Sequence, residues 1–317
     1  MSSQPSIIFM GTPDFAVPSL QALIDAGFKI PLVVTQPDRP AGRGQKLQAP
    51  PVKILAEKSG LAVLQPENLR KDPDATQKIL QTPCDFLVVV AFGQILTKEV
   101  LSHPKVAPLN VHASLLPAYR GAAPIARSVM EGEEKTGITI QWMIEALDQG
   151  DILVQSPCTI SESETSGDLH DKLKVMGAKS LLETLDLFKN NKIVRRSQDA
   201  RVGTYAAKLH KQEAFISFDQ QAIFVHKAIM GMNPWPIAEC QIAGERLKIH
   251  RSRFLPRHPA AEPGTVIDTS ENEIVVACQD ACVGFTEVQP ENKKKMSSAE
   301  YLRGRSIPQG LILGSKK

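Results

Sequence analysis

Apolar residues in the first part of this chain come in short unbroken runs. Residues 6–10 (SIIFM) form the first run, which meets Gly11, Thr12 and Pro13, and helical spacing of Leu20, Leu23 and Ile24 follows over residues 17–26. The chain therefore begins as strand, turn and helix. IPLVVTQ at 30–36 and CDFLVVVAFG at 84–93 are runs of the same kind. Strands that are Val/Ile/Leu-rich throughout are buried on both faces, as in a parallel sheet covered by helices on each side. The expectation is an N-terminal doubly wound α/β domain whose ligands sit in the crevice beyond the carboxyl ends of the strands.

From about residue 190 the pattern changes. KNNKIVRRSQDARVGTYAAKLHK has little apolar periodicity; after it come a short helix near 219–231 and the strand-like pieces AECQIAG, RLKIHRSRF, GTVIDT, EIVVAC and CVGFTEVQP, divided by Gly, Pro and Asn/Asp turns. Short strands at that spacing predict a small β-barrel or sandwich. The expected organisation is a catalytic domain at 1–189, a linker at 190–208 and a second domain at 209–317.

Composition narrows the function classes. A length of 317 residues suits about two domains, and 42% hydrophobic with 22% charged residues describes an ordinary globular protein. The net charge of +3 is too small to indicate nucleic-acid binding by itself, but the charge is unevenly placed. Residues 192–211 carry six Lys/Arg against Asp199, and 36–53 carry Arg39, Arg43, Lys46 and Lys53 against Asp38. Five scattered cysteines indicate a reducing compartment, and Cys278 and Cys282 lack a further Cys/His pair for a zinc site, so no metal is expected. The N-terminus has no charged, apolar leader pattern and no run of eighteen apolar residues occurs, so a cytoplasmic protein without membrane attachment is expected.

The first strand ends in GTPDFA, with one glycine where a dinucleotide fingerprint has three, and no phosphate-binding G-x-x-x-x-G-K-[ST] loop is present. Chemistry concentrates instead in LNVHASLLPAYRGAAPI (109–125). Residues two apart on a strand share a face, so Asn110 and His112 project together while Val111 packs behind them. An amide and an imidazole suit holding a carbonyl oxygen and stabilising the charge it gains in a tetrahedral intermediate. Satisfying backbone groups at a strand end would use the same pair. An acid to orient the histidine is available at Asp148 in EALDQGDIL, with Asp151 and Glu145 as competitors. The 36–53 segment, with four prolines and two glycines, is long for a loop without secondary structure; it fits a solvated surface loop or a phosphate-backbone contact.

Taken together, IIFMGTPDFAVPSL, VVTQPDRPAGRGQKL, LVVVAFGQIL, NVHASLLPAYRGAAPI, LDQGDIL, TYAAKL, NPWP and KKKMSSAEYLRG resemble, in order and over nearly the whole chain, the methionyl-tRNA formyltransferase family within the folate-dependent formyltransferases. The resemblance implies a Rossmann-like catalytic domain, a linker and a smaller barrel of the OB kind. It implies catalytic roles for Asn110, His112 and Asp148, a tetrahydrofolate segment at Ser114, Leu115, Leu116 and Pro117, and a pterin wall at Gln94, Ile95 and Leu96. It further implies tRNA contacts at Arg43, above all, with Arg39, Lys46 and Lys208. The implied reaction moves a formyl group from 10-formyltetrahydrofolate to the α-amino group of methionine on initiator tRNA, by a monomer, without metal or covalent enzyme intermediate. Ala113, Ala146 and Gln149 stand where many members have Gly, Gly, and Thr or Ala. Two other readings share parts of the pattern: a formyltransferase acting on a small amine such as a nucleotide sugar, and an RNA-binding protein with an inactive transferase-like domain.

Overall fold

The computed structural model describes residues 4–41, 44, 46–270 and 272–314. The chain divides into two compact units. The first comprises Met1–Gly121, Thr136–Cys158 and His170–Tyr205; the second comprises Ala122–Lys135, Thr159–Leu169 and Ala206–Lys317.

The first unit is built on a seven-stranded sheet in the spatial order Ile152–Thr159, Lys135–Trp142, Ala107–His112, Phe86–Val90, Ser6–Gly11, Lys29–Val34, Val63–Leu64. The five strands from Ala107–His112 to Val63–Leu64 run parallel, and Lys135–Trp142 lies antiparallel to Ala107–His112. Ile7 to Met10 and Phe86 to Val90 are buried without interruption, as central parallel strands covered on both faces must be. Two of its helices begin on proline, at Pro51 and Pro73, where the missing N–H would have had no intrahelical acceptor. The Asp72 carboxylate caps the second of these by accepting the Ala75 N–H at 2.9 Å.

Strand order reverses between Ser6–Gly11 and Phe86–Val90, which opens a crevice at their carboxyl ends. Its walls are tied by Thr12 Oγ1 and Gln36 Nε2, both donating to the Phe92 carbonyl at 3.1 and 2.9 Å. Gly93 has φ of +79° and its Cα faces Gln36, so any side chain there would displace the glutamine. The 36–53 segment differs from the expected open loop: Arg39–Ala41 and Lys46–Gln48 pair as a short antiparallel ladder, and a helix starts at Pro51.

In the second unit a curled antiparallel sheet runs Ala238–Ile242, Glu245–Leu255, Cys282–Pro290, Ile274–Ala277, Val266–Asp268, with Met296–Ser297 beside Cys282–Pro290. Register breaks around Arg251 bend the long Glu245–Leu255 strand, which increases its twist. The two edges do not stay open. Gly314 exchanges backbone hydrogen bonds with Gln241 on one edge, while Leu311 and Leu313 bond Val266 and Gly264 on the other. One C-terminal segment thus covers both edges and carries the half-barrel toward closure, removing two rows of unpaired amides. The interior is apolar, with Val225, Ile229, Leu247, Ile249, Val283 and Phe285 buried together.

Candidate active site

The Ala107–His112 strand ends with Asn110 and His112 on one face, and the antiparallel neighbour sets Gln141 opposite Asn110 and Thr139 opposite His112. Four polar side chains thus lie opposite one another across these two strands. Asp148, on the turn that follows Lys135–Trp142, closes over them with φ of +52°. Its Oδ1 accepts from Gln141 Nε2 at 2.8 Å and from Asn110 Nδ2 at 3.3 Å, and its Oδ2 accepts the Gly121 N–H at 2.9 Å. A carboxylate whose side chain is only 9% exposed needs such donors, because burying an unanswered charge is costly.

His112 is 5% exposed. Its Nε2 lies 2.9 Å from the Tyr119 carbonyl oxygen, and since a carbonyl only accepts, that nitrogen carries the proton. Its Nδ1 lies 3.6 Å from Asp148 Oδ1, ion-pair range but longer than a hydrogen bond. The backbone of the Tyr119 turn thus orients the ring, while Asp148 supplies charge beside it. Asp151, an alternative acid in the sequence, is committed elsewhere: it accepts from Arg195 Nε at 2.8 Å and Ser197 Oγ at 3.2 Å. Glu145 is exposed.

The 114–117 segment is fastened from behind. Thr139 Oγ1 donates to the Ser114 carbonyl at 2.7 Å and accepts the Leu116 N–H at 3.1 Å, and Gln155 Nε2 donates to the Leu116 carbonyl at 2.9 Å. The Ser114 and Leu116 side chains are buried, leaving Leu115 and Pro117 partly exposed. At Gln94 the amide is spent on backbone, accepting the Leu69 N–H at 2.7 Å and donating to the Pro66 carbonyl at 2.9 Å. Leu96 is buried, whereas Ile95 is 59% exposed. A cavity of about 500 Å³ opens here, lined by Gln36, Asn68, Arg70, Gly93, Gln94 and Ile95 among others.

Of the basic candidates, Arg39 is exposed and meets Glu67 at 3.2 Å, and Lys46 and Lys208 are exposed. Arg43 lies outside the described residues. Within 192–211 part of the positive charge is already answered: Arg195 stacks 3.9 Å above the Trp142 ring and pairs with Asp151, and Arg201 pairs with Asp199 at 2.9 Å. Asp14, His170 and Asp171 form a cluster of metal-ligand types, but Lys174 sits among them at 2.6 Å from Asp171 and 3.5 Å from Asp14. Its ammonium answers their charge.

Sequence reasoning missed Thr139 and Gln141. The signal that reveals them is the one that marks Asn110 and His112: two polar residues at period two within the apolar ITIQW.

The chain has relatives. Residues 6–185 match the formyl transferase family model, and 208–306 match the model of the formyl transferase C-terminal domain. The methionyl-tRNA formyltransferase of Bacillus cytotoxicus is 44% identical over 309 residues, covering 97% of this chain and 98% of that protein. The enzyme of the same description from a Geobacillus species is 44% identical over 313 residues, covering 98% of each. Among solved structures, an N-formyltransferase from Helicobacter canadensis, in complex with folinic acid and dTDP-3-aminofucose, superposes with a TM-score of 0.69 at 17% identity, covering 93% of this chain and all of that one. That likeness concerns the fold; the matches in sequence, along both parts of the chain, establish that it belongs to the methionyl-tRNA formyltransferase family of formyl transferases.

Proposed function

We propose that this chain transfers a formyl group from 10-formyltetrahydrofolate to the α-amino group of methionine on initiator tRNA, giving N-formylmethionyl-tRNA for translation initiation. The observation that carries this reading is the convergence of Asn110, His112 and Asp148, within 3.3 and 3.6 Å of one another through Asp148 Oδ1. Asn110 offers an amide N–H to the oxygen on which charge builds, and His112 supports the same charge once its Nε2–H turns from the Tyr119 carbonyl to that oxygen. The amine attacks the formyl carbon, Asp148 holds both side chains and assists removal of the amine proton, and the bond from the formyl carbon to the donor nitrogen breaks as tetrahydrofolate leaves. Such contacts are often long in the free enzyme and shorten around the reactants, which accommodates the 3.6 Å separation.

The donor supplies an activated formyl carbon when bound. A cavity of about 500 Å³ is of a size usual for such a ligand, and folinic acid, a formylated folate, occupies the Helicobacter canadensis relative in fold. In our reading Ile95, Leu115 and Pro117 present apolar surface to the donor, while Gln94, Leu96, Ser114 and Leu116 hold that surface in shape. The reading divides the chain into a catalytic domain at 1–189, a basic linker at 190–208 and a tRNA-binding half-barrel at 209–317. Arg39, Arg43, Lys46 and Lys208 serve the RNA phosphates, the protein works as a monomer in the cytoplasm, and no metal takes part. Among the described residues no helix is long and apolar enough to cross a membrane.

The test is a formylation assay on purified protein with methionyl-tRNA or a dTDP-amino sugar as acceptor, with and without 10-formyltetrahydrofolate. Donor-dependent formylation of the tRNA alone is expected. Transfer to the sugar alone, or to neither, overturns the reading.

A further inference from the structure

We infer that Gln198, in the segment that reads as a basic linker, is a positioning residue for Asp148. The inference rests on the proposed role of Asp148 in formyl transfer. Residues 195–198 lie antiparallel to 148–152 as a brace. Arg196 exchanges backbone hydrogen bonds with Ile152 at 2.8 and 2.9 Å, and Arg195 and Ser197 both hold the Asp151 carboxylate. At its end Gln198 Nε2 donates to two backbone carbonyls, Asp148 at 2.9 Å and Gly150 at 2.7 Å.

The orientation of that amide is determined by its other partner. Gln198 Oε1 accepts from Arg120 Nε at 3.1 Å and Nη2 at 2.9 Å, and a guanidinium has donors only. The oxygen must face Arg120, so the NH₂ must face the turn. Arg120 in turn is held flat under Gly203, where a Cβ would stand 2.5 Å from Nη1 and 2.6 Å from Cζ. The next residue, Gly121, donates its N–H to Asp148 Oδ2. Gly203, Arg120 and Gln198 therefore form a chain of contacts that ends on both the backbone and the carboxylate of Asp148.

Asp148 needs such a clamp. A non-glycine residue at φ of +52° is in the left-handed region, which an aspartate enters more readily than most side chains but which is still less favourable than the right-handed one, so the contacts around it help to hold the turn. Once the two carbonyls lose their shared donor, the turn relaxes and the carboxylate leaves the position at which it meets Asn110 and His112. The fold need not change for this to happen. The same segment reaches His112 by a second route, since Thr204 accepts the Arg120 N–H through its carbonyl at 2.9 Å and the Tyr119 N–H through Oγ1 at 2.8 Å, fixing the turn whose carbonyl orients the imidazole.

The test uses the full-length protein and compares Gln198→Glu, Gln198→Ala and Gly203→Ala, with Asp148→Asn measured alongside. Gln198→Glu keeps the size and the acceptor facing Arg120 but turns the donor into a charged oxygen that repels the two carbonyls, whereas Gln198→Ala removes the donor without adding charge. Each of the three variants is expected to lower kcat roughly tenfold to a hundredfold, in line with the cost of about 1 Å of misplacement, with KM for donor and methionyl-tRNA changed less than about threefold. In the Asp148→Asn background Gln198→Glu is expected to cost less than about twofold more, because groups acting as a unit are not additive. A normal kcat in both Gln198 variants, a loss confined to KM, or losses that multiply in the double variant overturns the inference while leaving the role of Asp148 intact. A normal kcat in Asp148→Asn overturns the role of Asp148, and the inference with it.

Discussion

His112 and His226 are buried to nearly the same degree, 5% and 3% exposed, and each places Nε2 near a backbone carbonyl, that of Tyr119 at 2.9 Å and that of Glu162 at 3.2 Å. They differ at Nδ1. For His112 it faces the Asp148 carboxylate, which three further donors hold in place. For His226, on the helix Ala222–Gly231 of the second unit, Nδ1 meets the Ser252 hydroxyl at 2.9 Å. A hydroxyl donates or accepts as required, so it suits the neutral ring and adds no charge. Burial pushes the pKa of His226 down from its ordinary 6.5, with Lys227 adding to the effect and the contacts of Glu162 opposing it. Burial and hydrogen bonding alone therefore do not distinguish the histidine proposed to react from one that completes a core. The neighbouring fixed charge does.

The largest expected effects break the pair apart by activity. In the proposed mechanism Asn110→Ala removes one donor to the developing oxyanion, a loss of about 2.7 to 4 kcal/mol at the transition state, and kcat should fall a hundredfold or more in a protein that stays folded. His112→Ala and Asp148→Asn should each be comparably slow, and the double variant scarcely slower than the worse single one. His226→Leu should leave kcat unchanged. Steady-state kinetics beside a melting curve decide it: a fast Asn110→Ala enzyme, multiplicative losses at 112 and 148, or a slow but stable His226→Leu enzyme removes the contrast.

How far the sequence carries this distinction varies by region. The period-two pairing of Asn110 with His112 was readable because a strand has only two faces, and the parallel sheet was readable because its strands are apolar throughout. The Rossmann-like first domain and the barrel-like second domain stand as expected. The Asp148 contacts were not readable, since they depend on a turn at positive φ whose partners, Gly121, Gln141 and Gln198, lie 27, 7 and 50 residues away. Thr139 and Gln141 were legible by the rule already applied one strand earlier. The 24-residue helix Ser166–Lys189 went unread, although buried Leu169, Leu173, Leu181 and Leu185 fall at multiples of four along it. Charge placement was the weakest guide, because Arg195 and Arg201 count as linker cations in the sequence yet are occupied by Asp151 and Asp199 in the structure.

A smaller effect separates the histidines by stability. His226→Leu leaves the buried Ser252 hydroxyl without its partner, and an unsatisfied buried group costs about 1 to 3 kcal/mol. His226→Leu should therefore lower the denaturant midpoint. His112→Asn, which keeps a polar side chain at the site, should lower it less. Equal midpoints for wild type and His226→Leu would mean that the hydrogen bonds of His226 contribute nothing net to the core.

The smallest expected effect is the pH dependence of stability, and its sign follows from the direction of the shift. His226 has a lowered pKa when folded, so above about 6.5 the ring is neutral in both states and the full stability is present. As pH falls below 6.5 the unfolded chain takes up the proton first, and the folded protein loses stability until pH reaches the lowered folded value. His250, also pushed down by burial although Gln289 bonds it at 3.0 Å, contributes in the same direction. Stability of the wild-type protein should decline between pH 7 and 5.5, and His226→Gln should show a shallower decline without abolishing it, since His250 remains. Carboxylates such as Asp168, held low by hydrogen bonds from Thr165 and Arg251 against the opposing effect of burial, lose their contribution only at lower pH and do not confuse this window. Chemical denaturation at several pH values reads the slopes directly: parallel slopes for wild type and His226→Gln would show that the core histidine does not titrate between the two states, and the contrast with His112 would then rest on kinetics alone.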